Sequence, residues 1–489
     1  MSPRLRWILV WLFALLPLIG WWATGLFDID EGYYAAVVAE MNRRGEWITP
    51  HYNGSPWFEK PILLYWLAKP CIALFGDVVG PRLPSVLATI GLYALTAWFC
   101  RRKFTEEVAQ LAVLILASSL LVVALGRQMM TDPLLSLALF AAWVFFYLSF
   151  EESRKWRWLA GVAVGFGILA KGPVALILFG AVVGWHWFSH RKEPKESFQG
   201  GWLGFWVFCI ATTALWYLPA YLVNGQTFVQ EFLIEQNVGR FTGGDSAHTL
   251  EGWAAFVALF AYAVIILLGM LPWSIWVPKA LYRAKELGPA PRYLASCTVI
   301  PFLFFSVSGA KLPHYILPVF APLAILVAVS LRSKALPYAM GWCVVIAVAV
   351  NVLQSWYYVS SRQVAAHALA RYIRTHAKED QVALFQLSRR ENDRGTGSLS
   401  LRETGLPSMM LYLDRATIDT DDFPRILEAQ GKVWMFTRSG RILPEHFAAA
   451  HQKGRELKLL HPPGVTENDY QLFIVEPEYP TGEGQRTDK

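Results

Sequence analysis

The middles of the long apolar runs in this 489-residue chain hold no Asp, Glu, Lys or Arg, with His186 near the end of one run as the closest exception. Pumps and ion-coupled transporters need ionisable side chains and broken helices at the bilayer midplane, so the absence argues against that class. Cysteine is scarce too. The five residues Cys71, Cys100, Cys209, Cys297 and Cys343 all lie in or beside apolar segments, which excludes a disulfide framework and a cysteine metal site. No Gly-rich loop of the P-loop or dinucleotide type occurs, so a soluble nucleotide cofactor has no seat. Glu59, His51, His248 and His314 lack the tight spacing of a preformed zinc site. A small-x-small cleavage site is missing from Trp7–Phe27, so that run reads as a retained first span rather than a signal peptide.

What is abundant is hydrophobicity. With 55% hydrophobic residues and 22 Trp, the composition is that of a membrane protein. Apolar runs predict about eleven helical spans, near 7–27, 83–100, 108–126, 134–150, 158–170, 174–189, 202–223, 253–276, 293–309, 315–331 and 338–357. The short run 62–76 carries Lys69 and Pro70 and reads as an interfacial or re-entrant helix. Lys and Arg set the orientation. With the N-terminus inside, 17 basic residues fall on the inner side and nine on the outer, which turns the loop at 28–82 outward. An odd number of spans puts the C-terminal part outside as well.

From about Ser360 the pattern changes to mixed soluble sequence. Helices are predicted at 362–377, 422–430 and 444–452, and strands at 381–387, 432–438 and 470–475. This gives a membrane domain over 1–359, a small outward α/β domain over 360–478 and a disordered tail at 479–489. The 18 basic and 18 acidic residues after 359 cancel, so the net charge of +7 belongs to the membrane part and mostly to its inner rim.

Outward charges sit instead at span ends and in loops: Asp30, Glu31, Glu59, Lys60, Arg127, Asp132, Lys171, Glu231, Glu235, Arg240 and Lys311. A polar site at the outer boundary suits a substrate with a lipid tail in the bilayer and a charged head at its surface. Lys60, Lys171, Arg240 and Lys311 are the candidates for an anionic head, because Lys and Arg make strong charge-assisted bonds to phosphate. The bland reading of each is a side chain snorkelling to lipid phosphate. Asp30 opens a predicted helix with Tyr33, Tyr34, Val37, Val38 and Met41 on one face, a pattern that lays the helix along the membrane interface. The same Asp suits an N-cap and a general base, and both readings stay open together. Asp28-Ile29-Asp30 and Asp419-Thr420-Asp421 each fit the Asp-x-Asp pattern that holds a divalent cation against a diphosphate. A short pattern found twice, once in a predicted loop, carries little weight; a divalent metal ion is the one cofactor left open.

At these residues the chain resembles the polyprenyl-phosphate-dependent glycosyltransferases of the GT-C fold, in the branch that holds protein O-mannosyltransferases and bacterial aminoarabinose transferases acting on lipid A. The resemblance rests on Asp30-Glu31 with Tyr34, on GEWITPHYNG at 45–54, and on Phe58-Glu59-Lys60-Pro61. It continues through MTDP at 130–133, AKGP at 170–173, Arg240-Phe241, LGMLPW at 268–273 and AKLPHYILP at 310–318, about 360 residues in order. It implies inverting transfer of a sugar from a polyprenyl (undecaprenyl) phosphate donor to an outward-facing acceptor such as lipid A or another envelope glycolipid. It also implies a bacterial inner membrane, with active site and C-terminal domain on the periplasmic side. By resemblance Asp30 and Glu31 are catalytic, Lys60, Arg240, Lys311 and Lys171 hold the donor phosphate, and Asp132, Glu59, Tyr34, His314 and Tyr315 line the cavity. Two differences mark the chain off: Tyr33 stands where aminoarabinose transferases commonly carry Arg, and those enzymes are longer after the last shared motif. The particular sugar and the lipid A acceptor therefore do not follow. A flippase or transporter of lipid-linked glycans is the rival class, and the uncharged span middles argue against it.

Overall fold

The structure, a computed structural model, describes residues 2–189, 200–239, 260–308, 311–331, 335–361, 363–387, 406–463 and 469–478. It divides into two compact units. The first holds Met1–Thr24, Gly45–Pro50 and Trp57–Ser355; the second holds Gly25–Arg44, His51–Pro56 and Trp356–Lys489. The division expected at residue 360 thus falls at Trp356, and the second unit also takes in much of the first loop, which sequence reading had left with the spans.

In the first unit each of the eleven expected stretches contains helix where it is described, although the first is helical only to Leu18. Among the described residues six helices are long and apolar enough to cross a membrane, and the bent pairs Glu106–Ala117 with Leu120–Gly126 (65°) and Ala261–Gly269 with Trp273–Arg283 (119°) raise the number to at most eight. The other three are shorter. Pro3–Leu15 has 13 residues, and Trp156–Lys171 and Val174–Ser189 have 16 each. At 1.5 Å per residue they extend about 20 to 24 Å, less than the roughly 30 Å hydrocarbon core. Hydropathy sees the apolar composition of these stretches but not where a helix stops. Pro17, in a 3-10 turn at Leu16–Leu18, ends the first one early. The run 62–76 is helical from Leu63 and breaks at Gly76, whose φ of 78° interrupts a helix that resumes and runs to Lys103.

Small residues let the helices of this unit approach closely. A Cβ on Gly161 would lie 2.2 Å from the carbonyl oxygen of Phe205, and one on Gly165 would lie 2.6 Å from Cβ of Thr212. This Gly-x-x-x-Gly face seats Trp156–Lys171 against Trp202–Phe228 at backbone contact, the packing on which helices in lipid depend. The short Trp156–Lys171 helix carries Lys171 on its last turn, so the same contact fixes a candidate site residue.

In the second unit β1 His51–Tyr52 pairs antiparallel with β2 Ser55–Pro56, and five further strands form a larger sheet. Its strands are β3 Gln381–Phe385, β4 Ile418–Thr420, β5 Val433–Arg438, β6 Arg455–Leu460 and β7 Tyr470–Pro477. β3 pairs in parallel with β4 and β5, while β7 runs antiparallel to β5 and β6. The core sets Ala383, Phe385, Val433, Met435, Phe473 and Val475 against Phe423, Ile426 and Leu427. Three predicted strands and the helices Gln363–His376 and Pro444–Gln452 fall where expected; β4, β6 and the helix Ser408–Leu413 are additional. The helix expected at 422–430 is the shorter Phe423–Leu427, and Asp419 lies in β4 rather than in a loop. The tail at 479–489 lies outside the described residues.

Replacing Gly161 by Leu should push the two helices apart and lower the thermal stability of the purified protein by several degrees. An unchanged melting temperature contradicts the close packing described for this pair.

Candidate functional site

In the second unit the helix Asp30–Arg44 begins at Asp30 itself. It is not amphipathic: every residue from Glu31 to Met41 is buried, Tyr33 and Tyr34 at 4% and 3% exposure. The expectation of a helix lying along the interface is therefore corrected, because its second face packs within a folded unit instead of facing solvent. Leu26 N–H donates to Tyr412 Oη (3.0 Å), and the Asn53 side chain exchanges two hydrogen bonds with the backbone of Thr417. Tyr33, at the position that differs from the aminoarabinose transferases, sets its ring 5.1 Å from that of Tyr52.

The three acids before and within the first turn have three different surroundings. Glu31 is buried and accepts the Phe27 N–H at 2.7 Å, which fixes the entry to the helix. Asp28 accepts two bonds from one residue, the Ser408 N–H on Oδ1 and the Ser408 hydroxyl on Oδ2, both at 2.8 Å. Asp30 is exposed. Burial pushes the Asp28 carboxyl up to about 7, against the two Ser408 bonds that favour the carboxylate, and the Glu31 charge adds to the rise. With Asp28 engaged in this way, Asp28 and Asp30 do not fit a divalent-cation clamp. Among the described residues there is also no grouping of three His, Cys, Asp or Glu that could hold a metal ion.

In the first unit a second group forms at helix ends. Asp132 occupies the first turn of Thr131–Glu151 and Lys171 the last turn of Trp156–Lys171, the ends where helix dipoles favour a carboxylate and an ammonium respectively. They form an ion pair, with Asp132 at 1% and Lys171 at 11% side-chain exposure. The Lys171 ammonium also lies 4.4 Å from the centroid of the Tyr315 ring, on which His314 packs edge-on at 4.8 Å. Sequence reading put Asp132, His314 and Tyr315 in the cavity lining and Lys171 on the donor phosphate, and the structure gathers the four. Lys171 enters that group as the partner of a carboxylate.

Lys60 pairs with its neighbour Glu59 (Nζ to Oε1 3.3 Å), the two side chains 12% and 24% exposed. Lys311 has another employment from the one expected. Its ammonium donates to the carbonyls of Ser306 (2.8 Å), Ser308 (2.6 Å) and Phe305 (3.5 Å), and so closes the C-terminal end of Pro289–Val307. Burial lowers its pKa. Arg240 lies outside the described residues. Ser408 and His367 were absent from the sequence-based candidates. Ser408 is 380 positions from the Asp it holds, and nothing in a Ser-Met-Met run points back that far.

The chain is similar to known proteins in sequence and in fold. Residues 59–217 match the dolichyl-phosphate-mannose-protein mannosyltransferase family. The chain is 35% identical over 340 residues to the undecaprenyl phosphate-alpha-4-amino-4-deoxy-L-arabinose arabinosyl transferase of Aeromonas salmonicida, covering 66% of this chain and 59% of that one. The transferase of the same name from Edwardsiella ictaluri is 34% identical over 335 residues, with 66% and 58% covered. The chain thus spans less than two-thirds of the length of these relatives. The solved structure of ArnT from Cupriavidus metallidurans bound to undecaprenyl phosphate superposes with a TM-score of 0.77 at 18% identity, covering 97% of this chain and 98% of that one. At that identity the likeness is one of fold.

The Asp28 surroundings give a pH signature. An unfolded chain releases this proton near pH 3.8 and the folded protein near pH 7, so the folded state binds the extra proton between those values. The stability contributed by the group is complete below about pH 4 and is lost as pH rises through about 7. Asp28→Asn should flatten the fall of the melting temperature across that window; an unchanged slope contradicts the assignment.

Proposed function

We propose that this chain, a member of the GT-C glycosyltransferase family, transfers a sugar from a polyprenyl phosphate donor to a hydroxyl or phosphate acceptor on the outer side of a bacterial inner membrane. The match to arabinosyl transferases that use undecaprenyl phosphate supports the donor class. The observation that carries the reading to particular residues is the sorting of three adjacent acids: two are committed to hydrogen bonds within the protein, and Asp30 is left exposed on the first turn of its helix. An exposed, well-fixed carboxylate is what a general base requires.

In the proposed reaction an acceptor oxygen attacks the anomeric carbon of the donor sugar. The bond from that carbon to the phosphate oxygen breaks, the configuration inverts, and polyprenyl phosphate departs with its electron pair. Asp30 takes the proton of an acceptor hydroxyl as the new bond forms. Lys60 and Arg240 hold the departing phosphate, where charge grows as the bond breaks and cationic donors stabilise the transition state more than the ground state. Glu59 holds Lys60 in place. Asp132 and Lys171 form a closed charge pair that shapes the polar wall with His314 and Tyr315, and Lys311 anchors the turn that leads to them. A lipid-linked donor suits a reaction outside the cytoplasm, since the donor carries its own membrane anchor and needs no soluble nucleotide seat.

Two substitutions separate the roles. With polyprenyl phosphate-linked aminoarabinose and mannose as donors and an envelope extract as acceptor, Asp30→Asn should reduce turnover by about 100-fold or more while leaving donor affinity within about twofold. Lys60→Ala should instead weaken donor binding about tenfold or more, the loss of one charge-assisted contact. Turnover by Asp30→Asn near the wild-type rate removes Asp30 as base. Movement of intact donor across vesicles with no release of polyprenyl phosphate would falsify the transferase reading and favour a flippase.

A further inference from the structure

Four side chains in the second unit form a continuous chain of hydrogen bonds, buried at its centre and half-buried at its two ends. Tyr358 Oη lies 2.9 Å from His367 Nδ1, His367 Nε2 lies 2.8 Å from Ser408 Oγ, and Ser408 Oγ lies 2.8 Å from Asp28 Oδ2. Ser408 and His367 are 0% and 1% exposed. Proton accounting gives the chain one direction when Asp28 is ionised. The Ser408 hydroxyl has a single proton, and an ionised carboxylate can only accept it. Ser408 Oγ must then accept from His367 Nε2–H, and in the neutral tautomer that carries this proton Nδ1 accepts from the Tyr358 hydroxyl. Every donor therefore points toward Asp28.

Two glycines make room for the two outer bonds of this chain. A Cβ on Gly32 would sit 2.3 Å from Asp28 Oδ1 and 2.6 Å from the Ser408 nitrogen. One on Gly25 would sit 2.4 Å from Tyr358 Oη and 2.7 Å from His367 Nδ1. The surrounding charges are few. Glu31 acts on Asp28 from the same helix start, and the His367 ring packs on Tyr412, over which the Arg371 guanidinium lies at 4.8 Å. Arg374 and Arg43 farther along are both paired with Asp414. His367 is thus the titratable group directly linked to the Ser408–Asp28 bond.

We propose that Ser408 and His367 are positioning residues for the transfer reaction, resting on the function proposed above: their hydrogen-bond chain holds Asp28 ionised and fixed, and Asp28 in turn fixes the first turn that presents Asp30. The sheet-bearing C-terminal segment then takes part in setting the geometry of the base, two residues from the carboxylate it grips. Protonation of Asp28 puts a donor on the carboxyl that can point at Ser408 Oγ and turn the chain around, so the active geometry is lost on the acid side. The elevated pKa of Asp28 places that loss near neutral pH.

The test is the pH profile of kcat/KM for release of polyprenyl phosphate by the full-length protein, using the donor of the preceding assay. Wild-type activity should rise with pH through an acid limb near pH 7 and level off. Ser408→Ala, which deletes one bond to the carboxylate, should move that limb up by about one to two pH units. It should lower kcat about tenfold or more with KM for the donor within about twofold. Ser408→Thr, which keeps a hydroxyl, should restore the limb. Should Ser408→Ala fail to fold, His367 supplies the same comparison: Gln keeps an N–H for Ser408 and should hold the limb, whereas Leu should raise it. A Ser408→Ala limb at the wild-type pH, or equal limbs for the Gln and Leu variants, overturns the proposal, since a purely architectural role changes the yield of folded protein and not the titration. A wild-type protein that releases no polyprenyl phosphate overturns this proposal together with the function it rests on.

Discussion

A charge in hydrocarbon needs a partner, and that requirement decides where this chain can do chemistry. The exceptions to exclusion from the spans are all tied. Arg82 donates to the carbonyls of Trp21 (2.7 Å) and Thr24 (2.9 Å), Arg127 donates to Pro17 O (3.1 Å) and Asn351 Oδ1 (2.9 Å), and Arg157 donates to Ser149 Oγ (3.1 Å). Asp132 follows the same rule by pairing with Lys171. Arg127, Arg157, Asp132 and Lys171 stand where helices end, since helix ends supply the free carbonyls and the dipole that a buried ion needs, whereas Arg82 reaches carbonyls of another segment from within Leu63–Lys103.

The second unit solves a related problem without a bilayer. Three acids within four residues would repel one another if all were exposed and ionised together. The structure gives each a separate environment: Glu31 satisfies a backbone N–H, Asp28 is gripped by Ser408, and Asp30 stays in contact with solvent. Each neighbour's fixed position limits the motion of Asp30, which turns a flexible acidic loop into a preorganised carboxylate. A fixed carboxylate of this kind is what the proposed reaction would use as its base.

Much of this was legible in the sequence. Hydropathy located the long apolar helices of the first unit but not Val229–Gly239 or Val277–Arg283, since apolar composition over 15 to 20 residues survives any detail of packing. It misjudged length where Pro17 ended a helix and where Gly76 broke one. Lys171 and Asp132 were legible as a site because each stands beside a Gly or Pro at a span end. Lys311 was read as a phosphate ligand because a cation at an outer helix end looks the same whether it faces a substrate or the carbonyls of its own turn. The amphipathic reading of Asp30–Arg44 failed because periodicity reports one apolar face, and a helix of Ala, Gly and Tyr can be buried on the other face also. Asp28 was visible, but the partner that defines it is contributed by Ser408, and pairings that distant in sequence leave no local trace.

The central claim is that the chain carries out a single displacement at the anomeric carbon of a polyprenyl phosphate sugar. The most direct measurement is the anomeric configuration of the product formed by the purified protein, read by NMR from donor carrying an isotopically labelled sugar. The account predicts a transferred sugar of inverted configuration and stoichiometric polyprenyl phosphate. Retained configuration, or donor recovered intact after prolonged incubation with acceptor, would contradict it.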